Sequence, residues 1–319
     1  MHETNLVTDQ PHHTQPEKVQ RRRHHVKYDL VLVLVTLIWG ATFLVTKNTL
    51  KLIGPFTYLG LCYTIASLTL GLIFFKRLRR ITRVEVLSGM LIGVALFAGY
   101  AFQTIGLQWI SVSKAGFITG LYVPLVPFLA LAFLHQRIPV TAWLGVALSL
   151  VGLVLLSLNR QLNLAWEPGE GFVLCCAIAF ALQIVLISKF APHLDAINLA
   201  IVQLILTALL SFLLVPLHHE SLAPPPLLAW GPVLFMGTCD MAFTLLAMNW
   251  AQQYISSTRA ALLYALEPMW AAFFGLLLAG DVLSLFAWLG CGCILMGMIV
   301  GRLEKISLPR RKMPTSQMP

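Results

Sequence analysis

The sequence predicts an all-α polytopic membrane protein with ten transmembrane helices arranged as two inverted five-helix repeats. Three observations lead there. Of 319 residues, 58% are hydrophobic and 11% charged, against about 25% charged in a soluble domain, and mean hydropathy is +0.81. Ten apolar runs follow one another with short connections. Each approaches the about 20 residues that a helix rising about 1.5 Å per residue needs to cross roughly 30 Å of hydrocarbon. The second half of the chain also repeats the first at an offset of 145 residues.

Residues 1–27 are polar, end in the basic cluster RRRHHVK, and are expected to form a disordered cytoplasmic tail. The first run begins near Asp29, contains Trp39-Gly40 and lacks a small-residue cleavage site, so it reads as a retained helix and not a signal peptide. The second begins at Pro55, the third near Val86 and the fourth at Lys114, where Pro124 and Pro127 interrupt the apolar stretch. The fifth begins at Thr141. NRQLNLAWEPGE, residues 159–170, is the longest polar break in the core and reads as a periplasmic linker between a first repeat, 28–158, and a second, 171–302. The remaining runs begin near Gly171, Ala196, Leu227, Arg259 and Leu285, and residues 303–319 form a second basic cytoplasmic tail. No run alternates like a strand of an outer-membrane barrel.

At the 145-residue offset Lys114 aligns with Arg259, Leu121 with Leu266, Phe128 with Phe273, and the run Ala142 to Gly145 with Ala287 to Gly290. Five helices per copy is an odd number, so the second copy enters the membrane from the opposite side. Inverted repeats of this kind build alternating-access transporters around a midplane site.

With both termini cytoplasmic, 18 of the 22 Lys and Arg residues fall on the inner side, which sets the orientation in a cytoplasmic (inner) membrane. The same clusters account for the formal charge of +9. They flank helices, so the bilayer and not nucleic acid is their partner. The six cysteines match no zinc or redox spacing, and no metal or cofactor is expected. Cys293, Gly297 and Gly301 recur every four residues and permit close helix contact, either inside the bundle or in a homodimer.

Trp39-Gly40, Pro124, Glu267-Pro268, Asp281 and the glycines Gly145, Gly152, Gly290 and Gly297, in this order on ten helices, resemble the EamA family of the drug/metabolite transporter superfamily. The resemblance covers about residues 28–302. Where that family often has an Arg early in helix two and an acid after helix four, this chain has Cys62 and Gln136. The resemblance implies transport of a small organic molecule.

Glu267 lies eight residues beyond Arg259, and Asp240 about twelve residues before Gln252, so the two carboxyls fall at similar depth on consecutive helices. An acid at such depth is paired, protonated or facing a wet cavity. The pair is the candidate proton and substrate site. Tyr122, Tyr264, Trp39, Tyr100, Gln103 and Trp270, with Tyr63 and Asn249, are the candidate walls for an amphipathic or cationic solute. Pro124, Pro127 and Pro268 are candidate helix breaks for gating. The competing structural reading has Glu267 bonding the backbone carbonyl at Tyr264 that Pro268 frees, and Thr238 and Thr244 absorbing the Asp240 carboxyl.

These features favour a secondary active transporter of an amino acid, amine or similar compound, exporting by alternating access with possible proton coupling, and not an enzyme. No GxxxxGK[ST] loop is present. An integral-membrane lipid-modifying enzyme would need an interfacial nucleophile and base, for which only His135 and His218-His219 offer themselves, on opposite sides. A sensor or scaffold would need an output domain.

Overall fold

A computed structural model describes residues 16–157, 167–221, 224–278 and 284–302. Among these residues the fold is all-helical. The helices are α1 (Pro16–Thr49), α2 (Pro55–Ile73), α3 (Phe75–Leu78), α4 (Arg83–Trp109), α5 (Val112–Gly120), α6 (Tyr122–Leu134) and α7 (Val140–Ser157) in the first half. The second half holds α8 (Pro168–Phe190), α9 (Ala196–Leu214), α10 (Leu227–Phe235), α11 (Leu245–Ala251), α12 (Ser257–Tyr264), α13 (Glu267–Leu278) and α14 (Leu285–Arg302). A π-helix, Met236–Thr244, joins α10 to α11.

Among the described residues seven helices are long and apolar enough to cross a membrane, and two more, Val140–Leu156 and Leu285–Gly301, are apolar but shorter. The run that begins at Arg259 is split between α12 and α13. The amino-terminal expectation needs correction in one part: α1 starts at Pro16, so the helix reaches back through residues expected to be disordered. Asp281, most of the linker and the tail 303–319 lie outside the described residues.

Local sequence explains where the helices start. Thr82 and Glu85 form a reciprocal capping box on α4. Pro55 and Pro168 open α2 and α8, where a missing N–H costs no hydrogen bond. Ser111 caps α5 by accepting from Lys114 N at 3.2 Å, and Ser256 caps α12 by accepting from Arg259 N at 3.3 Å. These serines are themselves 145 residues apart.

Helix packing follows the small residues. α7 lies on α14, and α2 on α9. A methyl group on Gly145 would come within 2.7 Å of the Gly297 carbonyl oxygen, and one on Gly152 within 2.6 Å of that of Gly290. The numbering runs in opposite senses along the contact, so α7 and α14 are antiparallel. Gly301 also faces Gly145, so this glycine stripe is used inside the chain. Gly40 does the same for α1, where a methyl would sit 2.8 Å from Ala271 N.

Candidate functional site

Two helices break at their prolines. A proline at position i has no N–H for the carbonyl at i−4 and pushes it aside. For Pro124 that carbonyl belongs to Gly120, the last residue of α5, and for Pro268 to Tyr264, the last residue of α12. α5 packs on α13 and α6 on α12, so the two broken helices run antiparallel with their breaks side by side. Pro124 and Pro268 share the wall of a small cavity with Ser149 and Leu153. Pro127 is buried inside α6 and lines neither this cavity nor the larger one described next.

The second segment of each broken helix opens on a polar side chain, Tyr122 on α6 and Glu267 on α13. The Tyr122 hydroxyl lies 3.1 Å from the Tyr264 carbonyl oxygen and 3.2 Å from Glu267 Oε2. Tyr122 therefore reaches the carbonyl freed by Pro268, the partner that the structural reading had assigned to Glu267. Glu267 stands in the first turn of α13, where the helix dipole favours negative charge.

Asp240 occupies the middle of the π-helix, and this wider turn is a backbone device found often at functional sites. The side chain is 1% exposed, and its Oδ1 has no hydrogen-bond partner among the described residues. Thr244 donates to the Asp240 backbone oxygen, and Thr238 to the Leu234 oxygen at 2.7 Å. Neither threonine takes up the carboxyl. Trp39 Nε1 donates to Thr244 Oγ1 at 3.3 Å, which ties α1 to the π-helix beside the acid.

One cavity gathers most of the expected residues. Glu267, Asp240, Tyr122, Trp39, Tyr100 and Gln103 all line it, as does Tyr63. Tyr100 meets Tyr63 and Phe180 edge-on, with ring centroids 5.6 and 5.1 Å apart. Three expected residues stand behind the wall. Tyr264 accepts from Gln252 Nε2 at 3.1 Å and supports Trp39 at a centroid distance of 5.2 Å. Trp270 packs under Gly40. Asn249 bonds Gln203 and its own helix, a structural pair. Sequence reasoning missed Gln183 and Phe180 on α8 and the Thr46–Tyr58 pair, whose oxygens are 3.0 Å apart. The signal for Gln183 was present: an amide inside an apolar run.

The cavity lies toward one end of the bundle. Its wall uses Trp39 to Thr46 near the end of α1, Leu96 to Leu107 near the end of α4, and Tyr58 near the start of α2. At this end Lys114 pairs with Glu170 and, at 3.1 Å, with Glu167. At the opposite end Arg259 holds Asp29 through two bonds, of 3.0 and 2.5 Å. The latter end is further closed by Tyr28, stacked on Tyr254 at 4.3 Å and packed on Trp250 at 4.8 Å. Lys114 and Arg259 are counterparts in the repeat; Lys114 clasps two acids at the start of α8 and Arg259 one acid within α1, each in the other half.

A helical membrane bundle with broken helices around a buried, acid-bearing cavity is the architecture of a small-molecule transporter. The EamA-like transporter family matches this chain twice, over residues 26–158 and 167–301. The chain belongs to that family. An uncharacterized transporter of Archaeoglobus fulgidus is 31% identical over 86% of this chain and 86% of its own length. The S-adenosylmethionine/S-adenosylhomocysteine transporter of Chlamydia muridarum is 25% identical over 79% of this chain and 84% of its own. A protein of solved crystal structure, 20% identical, superposes with a TM-score of 0.72 over 87% of this chain and 97% of its own, a likeness of fold. The chain is accordingly a membrane transporter, with a small-molecule substrate, and not an enzyme.

Proposed function

We propose that the protein is a secondary active exporter that exchanges protons for an amphipathic, amine-bearing metabolite at Glu267 and Asp240. The observation that carries this reading is the meeting of two buried carboxyls on one aromatic cavity, one of them at the break of a helix. A bare carboxylate near a helix centre costs about 2.5 to 3.5 kcal/mol. The carrier therefore changes face with its acids neutralised, either by protons or by a cationic substrate. Proton and substrate cannot hold the same carboxyl at once, so they move in opposite directions, and an inward proton gradient drives the substrate out. The substrates named for the Chlamydia relative, S-adenosylmethionine and S-adenosylhomocysteine, both carry an amino group, and the first is also a sulfonium cation.

The fold in this reading is ten crossings in two inverted repeats, 28–158 and 171–302, with both termini cytoplasmic and 159–170 periplasmic. Support comes from the family matching each half separately and from the packing of α2 on α9 and α7 on α14, each helix against its own counterpart. Self-pairing of counterparts is what a two-fold relation between halves produces. In this orientation the cavity faces outward and the Arg259 end is the closed cytoplasmic gate. The membrane is the cytoplasmic (inner) one. A homodimer through the face of α14 that meets α7 would compete with that contact.

The test is a screen of the purified protein in liposomes, with and without a pH gradient, against amino acids, polyamines, aromatic cations and nucleosides. Amines are expected to accumulate only with the gradient. Accumulation of none of them, or accumulation indifferent to the gradient, would refute the exchange. Topology is tested separately: reporters after Arg302 should read cytoplasmic and one at Glu167 periplasmic.

A further inference from the structure

The polar groups on the cavity wall are mostly committed to protein partners. Thr42 and Thr104 turn their hydroxyls to the carbonyls of Trp39 and Tyr100 in their own helices, at 2.9 and 2.8 Å. Trp39 and Tyr122 are used as described. Among the described wall residues, two buried side-chain atoms have no partner: Asp240 Oδ1, an acceptor, and Gln183 Nε2, a donor. Gln183 is 2% exposed and Asp240 1%, so water outside the cavity does not serve them. Leaving such a group unpaired is costly, a cost that a fitting ligand would remove.

Gln183 and Thr42 both line the cavity. The short hydroxyl of Thr42 is satisfied by its own helix, whereas the longer amide of Gln183 is not. In a cavity that already holds two acids, an amide is also the group suited to an oxygen acceptor, because it donates without adding a cation that would pair with Asp240 or Glu267.

We propose that Gln183 binds a carbonyl or carboxylate oxygen of the substrate while Asp240 binds its amino group, so that the cavity selects amines that also carry an acceptor, as amino acids and their amides do. This rests on the transport reading above and narrows its substrate class. It sets simple amines and polyamines below amino acids and amino amides as cargo.

The test uses two probes that differ by one carboxamide, 2-phenylethylamine and phenylalaninamide, in weakly acidic buffer that keeps both amines protonated. Uptake into liposomes under a pH gradient is measured for the full-length protein. The amide is expected to show a KM about tenfold below that of the amine, the size of one net hydrogen bond. Gln183→Leu should bring the two KM values together by weakening the amide alone. Gln183→Glu keeps the side chain's size but replaces the donor with an acceptor, and should raise the KM of the amide to that of the amine or above it. Equal KM values in the wild type, or equal weakening of both probes by Gln183→Leu, would overturn the assignment while leaving the transport reading standing. Uptake of neither probe would overturn both.

Discussion

The Tyr122 hydroxyl lies 3.2 Å from Glu267 Oε2, and these two residues are counterparts, 145 positions apart, each opening the second segment of its broken helix. In the proposed two-fold arrangement, counterparts touch only where they lie on the axis. That arrangement gives a reason why one copy alone carries an acid. Two carboxyls in contact resist joint ionisation and must share a proton. A tyrosine instead supplies a hydrogen-bond donor to its neighbour's carboxyl and a ring to the wall.

Glu267→Gln keeps size and hydrogen bonding but holds the side chain neutral. Folding should survive, accumulation driven by a pH gradient should collapse, and exchange of pre-loaded substrate should persist. Asp240→Asn should give a milder loss, and Tyr122→Phe an active carrier with a displaced pH profile. Uptake into liposomes at several pH values checks all three. Normal gradient-driven uptake by Glu267→Gln would make that residue structural.

The glycine contact between α7 and α14 leads to a stability prediction that is independent of substrate. Gly152→Ala places a methyl 2.6 Å from the Gly290 oxygen, and backbone on both sides must move. The expected loss is about 1 to 3 kcal/mol, visible as a lower melting temperature in detergent. Gly292, on the same helix α14, has nothing within 4 Å of an added methyl, so Gly292→Ala should melt with the wild type. Equal melting of all three proteins would show that the contact yields easily.

Much of this was legible in the sequence because lipid imposes simple rules. Apolar length marks the helices, a proline marks the carbonyl it displaces, and an acid inside an apolar run calls for an explanation. Glu267, Asp240 and Tyr122 were found in this way. The rest depends on rotation about helix axes, which sequence position alone does not give: Tyr264 and Trp270 point behind the wall, while Gln183 and Phe180 point into the cavity. The π-helix around Asp240 was equally hidden, since its widening arises from hydrogen-bond register and not from a breaker residue at the acid. Asp29, at the edge of the first run, read as a marker of where the helix begins, and its bond to Arg259, 230 positions away, is tertiary information.

The prolines should matter to the transport cycle more than to insertion. Pro268→Ala restores an N–H that competes with Tyr122 for the Tyr264 oxygen, and Pro124→Ala restores one for the Gly120 oxygen. Both changes favour a continuous helix through the break. Each variant should reach the membrane at wild-type level yet transport several-fold more slowly. Wild-type rates in both would reduce the prolines to passive kinks.

Arg259 and Asp29 supply the last prediction, because their pair closes the end of the bundle that the cavity does not reach. The Asp29 side chain is 5% exposed and that of Arg259 16%, so removing one partner weakens the hold on a buried charge, a cost to the arrangement in which the pair is formed. In an alternating-access cycle that cost falls on the state in which this end is shut, and the balance moves toward the state in which it is open. Arg259→Gln should therefore raise maleimide labelling of a cysteine placed at Thr42, on the cavity wall, from the side that carries the amino terminus. The same cysteine should become less reactive from the opposite side. Exchanging the charges, Asp29→Arg with Arg259→Asp, should restore the original pattern, which separates pairing from mere packing. If Arg259→Gln leaves labelling from both sides unchanged, the pair is a fastening of the scaffold and the gate lies in the Tyr28, Trp250 and Tyr254 cluster beside it.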